Sequence, residues 1–273
     1  MTARSGEMGP GRVTQLGVIR SEWIKLSSLR STWYSLLAAL LITDGLGTLF
    51  SALHTHRMQQ GVGPNGPVAF DLDATQISLR GVFLAQLAIG VLGVLVITGE
   101  YSTGMIRSSL AAVPRRQPVL LAKAVVFAVL VVLVSLIATL LGFLLGQRAQ
   151  ASTHAQATLS TPGAERAILG AALYLTLIGL IGIGLGFLIR NTAGAIATLF
   201  GIVLVAPILA SALPTPYSTD VAKYLPLNAG TQVITTINPD PNLLGPWAGI
   251  GVTALYALIA LLAGAVILKR RDA

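Results

Sequence analysis

The sequence predicts an all-α membrane protein with six transmembrane helices. Of its 273 residues, 54% are hydrophobic and only 10% are charged. The apolar residues gather into six continuous runs, and each run is close to the roughly 20 residues that a helix needs to cross a bilayer. Continuous runs exclude outer-membrane strands, which alternate apolar and polar residues. The runs cover residues 33–53, 81–98, 119–146, 167–189, 193–213 and 247–268. Since 167–213 can be divided differently, five or seven spans are the alternatives.

The region before the first run predicts a short helix on the membrane surface. Residues 1–15 are polar, and we expect them to form a disordered cytoplasmic tail, whereas residues 16–273 form a single transmembrane domain. From Leu16 to Leu29 the pattern is amphipathic, with one helical face made of Leu16, Ile19, Trp23 and Leu26. Such a helix should lie along the inner leaflet before the chain turns into the membrane. The alternative is a cytosolic extension of the first span.

The distribution of basic residues predicts the orientation. With the N-terminus in the cytoplasm, the inner segments hold thirteen of the 18 cations: Arg4, Arg12, Arg20, Lys25, Arg30, Arg107, Arg115, Arg116, Lys123, Arg190, Lys269, Arg270 and Arg271. The outer segments hold five: Arg57, Arg80, Arg148, Arg166 and Lys223. This bias keeps short basic loops in the cytoplasm. We therefore expect a multi-pass protein of the plasma membrane with both termini inside. The net charge of +8 then reflects topology and attraction to anionic headgroups, not a nucleic-acid partner.

Residues 99–123, between the second and third runs, predict a short cytoplasmic helix. Ser102 or Thr103 can cap its start, and Pro114 disfavours helical geometry at the residue before it and so ends the helix. The apolar residues recur at helical spacing, so one face carries Ile106, Leu110 and Val113. A rigid helix at this position could be pushed by another protein. The alternative is a loop that lies on lipid.

The charges around this segment also carry predictions. Glu100 would be costly if it faced lipid, so we expect it to pair with a cation such as Arg107 or Lys25. Lys123 stands at the base of the third run, where a long side chain can extend to the headgroups.

Two further patterns concern the loops and the packing of the helices. Residues 190–192 should join the fourth and fifth spans as a tight hairpin, and residues 214–246 predict either small helices that dip into the outer leaflet or an ordinary capped loop. Small-xxx-small spacing predicts close helix contacts, within the chain or between subunits, at the pairs Gly142/Gly146, Gly182/Gly186 and Gly245/Gly249.

The sequence lacks the motifs of several kinds of active site. No lysine directly follows a glycine, so the phosphate-binding loop of common ATPases is missing and the chain is not expected to be an enzyme. Without cysteine there is no disulfide or thiolate site. His54 and His56, just beyond the first run, are more typical of a solvated surface than of a metal site. We therefore expect no cofactor or metal in this chain.

Asp44 is an acid near the middle of the first run. Its insertion costs about 2.5–3.5 kcal/mol unless it is paired or hydrated. It should therefore face a cavity, a partner subunit or a hydroxyl such as that of Thr43 or Thr48. It is a candidate pathway residue, and the alternative is a hydrogen-bonded packing residue.

Four segments resemble a known family, the permease subunits of type-2 ABC exporters, especially those of actinobacteria. They are IRSEWIKLSSLRSTWY (19–34), GEYSTGMIRSSLAAVPRRQPVLLAK (99–123), FLIRNTAGAIATLFGIVLVAP (187–207) and YLPLNAG (224–230). The resemblance implies six spans with an N-terminal elbow helix at residues 16–30, a coupling helix at 102–113 and outer re-entrant helices within 214–246. Glu100 matches the acid that commonly precedes the coupling helix, whereas Asp44 has no place in the family pattern.

The resemblance also implies a function. The chain would be the permease of an ATP-driven exporter for a small amphiphilic, drug-like, lipid or peptide substrate. Separate ABC ATPase subunits would hold ATP and Mg, and a second permease would complete a homodimer or, as the alternative, a heterodimer. The residues that would couple the permease to the ATPase are Thr103, Ile106, Arg107, Leu110 and Val113. The alternatives are a gradient-driven secondary carrier and a non-transporting membrane scaffold or immunity protein.

Overall fold

The described part of the protein is helical. The computed structural model describes residues 15–59, 73–106, 116–153, 156–237 and 240–270, and it contains no strand among them. In chain order the helices are α1 (Gln15–Ser28), α2 (Arg30–Gln59), α3 (Ala74–Ser78), α4 (Val82–Ser102), α5 (Arg116–Ala149), α6 (Ala164–Ile189), α7 (Thr192–Ser211), α8 (Tyr217–Ala222), α9 (Pro226–Thr231) and α10 (Pro246–Arg270). The all-α fold class is confirmed.

Six of these helices are long and apolar enough to cross a membrane, as predicted. They are α2, α4, α5, α6, α7 and α10. The first is longer than its apolar run: α2 continues to Gln59, so His54 and His56 lie in a helix and not in a loop. The predicted N-terminal tail, residues 1–15, falls outside the described residues except for Gln15, which begins α1.

Helix α6 lies at the centre of the bundle. In its most apolar stretch 72% of the residues are buried, against 17% for α10. It packs against α4, α5 and α10. Glycines permit these close contacts, because a Cβ at Gly182 would collide with the carbonyl oxygen of Gly90, and a Cβ at Gly184 with Ala260. The predicted small-residue contact at Gly182/Gly186 therefore forms within one chain.

The other two glycine pairs differ from each other. A Cβ at Gly142 would lie 3.1 Å from Asp44 Oδ1, and one at Gly146 would collide with Ser78, so both glycines serve contacts within the chain. Gly249 lies against the carbonyl oxygen of Ala229, whereas Gly245 has open space around it. The last pair therefore does not act as a unit.

The end of the bundle opposite α1 and the end of α10 is held together by buried polar groups. Asp73 is fully buried and accepts hydrogen bonds from Gln76 N at 2.9 Å, Thr236 Oγ1 at 2.7 Å, Ile237 N at 2.9 Å and also from Thr236 N. One carboxylate thus caps α3 and ties it to the chain that follows α9. Gln150 adds to this network, because its amide nitrogen donates to Ser78 Oγ at 3.0 Å.

The segment 214–246 contains small helices, which is the first of the two predicted alternatives. Helix α8 has no buried residue. Helix α9 and the 3₁₀ turn Gln232–Ile234 pack against α10, with Ala229 and Val233 fully buried. Entry of these helices into the outer leaflet stays a prediction.

The connection from α6 to α7 is the tight hairpin that the sequence indicates. Arg190 adopts a left-handed conformation with φ 57°, which ends α6. Asn191 then caps α7, its side chain accepting a hydrogen bond from Gly194 N at 2.9 Å. Within α7, Gly201–Val205 forms a π-helical turn just before Pro207, a residue that cannot donate a backbone hydrogen bond.

Candidate functional site

The candidate site lies at the end of the bundle where α10 ends and where α1 meets the end of α4 and the start of α5. Helix α1 is followed at once by α2, and Trp33 Nε1 donates to Ser27 O at 2.8 Å across the junction. It packs on α5. Its buried residues are Val18, Glu22 and Leu26, which recur every fourth position and therefore share one face.

The buried face contains only part of the predicted apolar face: Leu26 belongs to it, whereas Leu16 and Trp23 do not. Leu16 is 78% exposed and Trp23 is 43% exposed, whereas the acid Glu22 is buried. The reason is electrostatic: Glu22 finds a cationic partner on α5, so this side of the helix turns inward. The exposed Leu16 and Trp23 remain available to contact lipid.

Four charged side chains form an inner charge cluster, defined here as Glu22, Lys25, Glu100 and Lys123. Lys123 Nζ lies 2.5 Å from Glu22 Oε2 and 2.5 Å from Glu100 Oε1. Lys25 Nζ lies 3.0 Å from Glu22 Oε1 and 3.8 Å from Glu100 Oε1. Two carboxylates and two ammonium groups therefore balance one another at the junction of α1, α4 and α5.

The cluster is only partly open to solvent. The Lys123 side chain is 2% exposed and that of Glu22 is 6%, whereas that of Lys25 is 31%. Removing one partner of a buried pair costs about 3–5 kcal/mol, because it leaves an uncompensated charge. The cluster therefore favours one relative arrangement of three helices, and its open side faces a cavity of about 280 Å³ that Thr103 and Met105 also line.

The structure resolves the pairing expectations for these charges. Glu100 does pair with Lys25, one of its two predicted partners, while Arg107 falls outside the described residues. Glu100 also pairs with Lys123, which the sequence did not suggest. Lys123 turns inward instead of extending to headgroups, because two carboxylates lie within 2.5 Å of it. The signal that could have revealed this is a lysine inside an apolar run, which needs an acid near it.

The described part of the predicted coupling helix ends at Ile106, and Met105 and Ile106 are helical; the rest of this helix stays a prediction. The hydroxyls of Ser102 and Thr103 both donate to Gly99 O at 2.9 Å at the end of α4. Gly104 then turns the chain with φ 73°. Met105 is 46% exposed, whereas Ile106 is 2% exposed and belongs to the buried apolar cluster that includes Leu26 and Leu120.

The remaining predicted coupling residues, Arg107, Leu110 and Val113, fall outside the described residues, so their shared face stays a prediction. Ile106 is an inward-facing packing residue of this chain. Of the two predicted coupling residues that the structure describes, Thr103 lies in the wall of the cavity and Ile106 does not.

Asp44 lies in α2 and is 8% exposed. Its side chain faces α5 at Gly142. Neither predicted hydroxyl partner reaches it: Thr43 Oγ1 donates to Ala39 O at 2.8 Å, and the buried Asp44 Oδ1 and Thr48 Oγ1 have no hydrogen-bond partner within the described ranges. The structure thus places Asp44 at the interface between α2 and α5. A search of the described residues for groups of three or more potential metal ligands found none.

These observations define a class: a multi-pass helical membrane protein with a buried cluster of ion pairs at one end of its bundle. A scan of protein families gives a more specific result. The family described as "ABC-2 family transporter protein" matches residues 18–207, which is more than half of the chain. The chain belongs to this family, and it is the transmembrane permease of an ABC transporter, a subunit that works with a separate ABC ATPase. A search of curated proteins found no match.

Proposed function

We propose that this permease exports a small amphiphilic, drug-like, lipid or peptide substrate. ATP hydrolysis occurs in the partner ATPase, and movement of the ATPase reaches the bundle through residues 102–113. The observation that carries this proposal is the inner charge cluster. It joins the residues that directly precede this segment to the elbow helix α1 and to the base of α5.

The cluster gives the proposed route of coupling a physical basis. Glu100 is two residues before Ser102, where α4 ends, and its carboxylate is held by Lys123 of α5. A displacement at residues 102–106 therefore acts on α4 and α5 together, and through Glu22 on α1. Without these pairs the three helices would be joined at this end by apolar contacts, which allow sliding more readily.

We further propose that the active form contains two copies of this chain. Large apolar side chains are exposed on α2, α7 and α10; those more than half exposed include Leu41, Ile208, Leu209, Leu258 and Leu262. Lipid can cover such faces, and so can a second permease, as the family resemblance implies. Cross-linking of the purified protein, followed by mass measurement of the products, distinguishes a homodimer from a heterodimer.

The test of coupling uses a charge at an exposed position. Met105→Asp should weaken co-purification of the ATPase at least tenfold while the permease still inserts, because the new carboxylate must be desolvated in the interface. Val221→Asp is the matched control: Val221 on α8 is 44% exposed, close to the 46% of Met105, and lies at the opposite end of the bundle. Leu110→Asp tests the part of the segment outside the described residues. Ile106→Asp is less informative, because Ile106 is buried.

Two outcomes would contradict the proposal. One is full ATPase association and ATP-driven transport in both Met105→Asp and Leu110→Asp. The other is solute movement along an ion gradient in liposomes without nucleotide, lost in Asp44→Asn, which would favour the gradient-driven carrier. Protection of cells by a permease whose ATPase partner is inactive would instead favour the scaffold or immunity protein.

A further inference from the structure

A second cavity lies at the opposite end of the bundle from the inner charge cluster. It has a volume of about 560 Å³, within the range typical of ligand sites. Its walls come from α2, from the chain around the start of α4, and from the turn after α9. The residues that matter here are Leu46, Phe50, Gln76, Arg80, Phe83 and Leu84.

The depth of this cavity follows from the length of α4. That helix has 21 residues and is therefore about 31 Å long, close to the thickness of the hydrocarbon core. Arg80 stands two residues before the helix begins, at the level of lipid headgroups. Leu84 lies one turn deeper, among acyl chains. The cavity thus runs from the interface into the hydrocarbon layer.

The polar groups of the cavity lie near its interfacial end. Arg80 is exposed, and its guanidinium lies 6.0 Å from the centre of the Phe50 ring. Gln76 Nε2 donates to Thr235 Oγ1 at 3.0 Å, while the buried Gln76 Oε1 has no hydrogen-bond partner in the described part of the protein. The cavity therefore combines a cation, an acceptor that needs a donor, and an apolar floor.

The wall that carries these groups is firmly held. Asp73 ties the start of α3 to Thr236 and Ile237, and its oxygens are occupied by these donors. Arg166 fixes the same turn from α6, donating to Thr235 O at 2.6 Å. The cavity is therefore largely pre-formed, which lowers the cost of ordering it around a ligand.

We propose that this cavity binds one anionic glycerophospholipid from the surrounding leaflet. The phosphate lies at Arg80, a headgroup hydroxyl donates to Gln76 Oε1, and an acyl chain lies against Leu46, Phe83 and Leu84. Phosphatidylglycerol has both features, a net negative charge and hydroxyl donors. Phosphatidylethanolamine has donors but no net charge, and phosphatidylcholine has neither. The inference concerns a lipid site outside the coupling region and does not rest on ATP-driven export.

The test is lipid titration of the delipidated full-length protein, followed by native mass spectrometry. We expect dioleoyl-phosphatidylglycerol to bind about fivefold more tightly than dioleoyl-phosphatidylcholine, the scale of one cation next to an anionic headgroup, with dioleoyl-phosphatidylethanolamine between them. Arg80→Gln should bring this ratio close to one. Arg57→Gln is the matched control, because Arg57 is also exposed at this end of the bundle but does not line the cavity.

A second variant separates the cavity from the general surface. Leu84→Trp fills the apolar floor and should reduce the binding of all three lipids severalfold while the protein elutes as the wild type does. Three results would overturn the proposal. The first is equal binding of the three lipids to the wild type. The second is a preference for phosphatidylglycerol over phosphatidylcholine that is as strong in Arg80→Gln as in Arg57→Gln, and the third is unchanged lipid binding in Leu84→Trp.

Discussion

The strongest stability prediction concerns Lys123. Replacing it with Met keeps the length and the apolar stem of the side chain but removes the ammonium group that lies 2.5 Å from Glu22 and 2.5 Å from Glu100. Both carboxylates are largely buried, and Lys25 alone then faces two acids. Loss of one partner from a buried ion pair costs about 3–5 kcal/mol. We expect Lys123→Met to lose a comparable amount of folding free energy.

The measurement is thermal unfolding of the purified protein in detergent, with loss of the monodisperse elution peak as the readout. For a chain of this size 1 kcal/mol corresponds to about 2–4 °C in Tm, so the expected decrease is about 10 °C. Lys223→Met is the matched control. Lys223 pairs with Asp220 at 2.8 Å at the end of α8, but the Asp220 side chain is 61% exposed, and exposed ion pairs contribute little to folding stability.

A rescue experiment tests the cause of the loss. Combining Lys123→Met with Glu22→Gln and Glu100→Gln removes the uncompensated charges, so Tm should recover most of the decrease. A Tm for Lys123→Met that matches that of Lys223→Met would refute the role of the cluster. If the triple variant recovers nothing, the loss comes from altered packing at Lys123 and not from charge.

Two further predictions concern the packing of the bundle. Gly182→Ala should destabilise the protein by about 1–3 kcal/mol, because its Cβ would collide with a backbone carbonyl of α4. Gly251→Ala is the control and should leave Tm unchanged, because no atom lies within 4 Å of its Cβ. Equal changes in Tm for the two variants would contradict this account. Asp73→Ala should cost about 3 kcal/mol of folding free energy, because several buried donors lose their acceptor. Asp240→Ala, at an exposed position, is its control. A Tm for Asp73→Ala within about 2 °C of the wild type corresponds to a fraction of the free energy of one hydrogen bond and would contradict the stabilising role of Asp73.

The parts of the fold that the sequence predicted are those with a local cause. Six apolar runs gave six spanning helices, since the length of a hydrophobic segment decides whether it can cross a bilayer. The hairpin at residues 190–192 was also predicted, because three polar residues separate two apolar runs at this point. The amphipathic helix before α2 was found, but the burial of Glu22 was not, because the hydrophobic pattern gives no weight to an acid that has a partner elsewhere.

The site was less predictable. Glu100 was selected from the sequence and paired with Lys25, yet Glu22 and the inward turn of Lys123 were missed. Glu22 and Lys123 are 101 positions apart, and no local rule links residues at that distance. Asp73 was missed for the same reason, since its donors at Thr236 and Ile237 come from the far end of the chain.

The sequence by itself determined that this chain is a six-span membrane protein, together with the family resemblance that the family scan confirmed at the level of an ABC transporter permease. Only the tertiary structure decided which charges meet, which glycines are in contact and where the cavities open. The physical reason is that membrane insertion depends on the summed hydrophobicity of each segment, a property of consecutive residues. Ion pairs and close helix contacts depend instead on the rotation of each helix about its axis, which packing of the whole bundle sets.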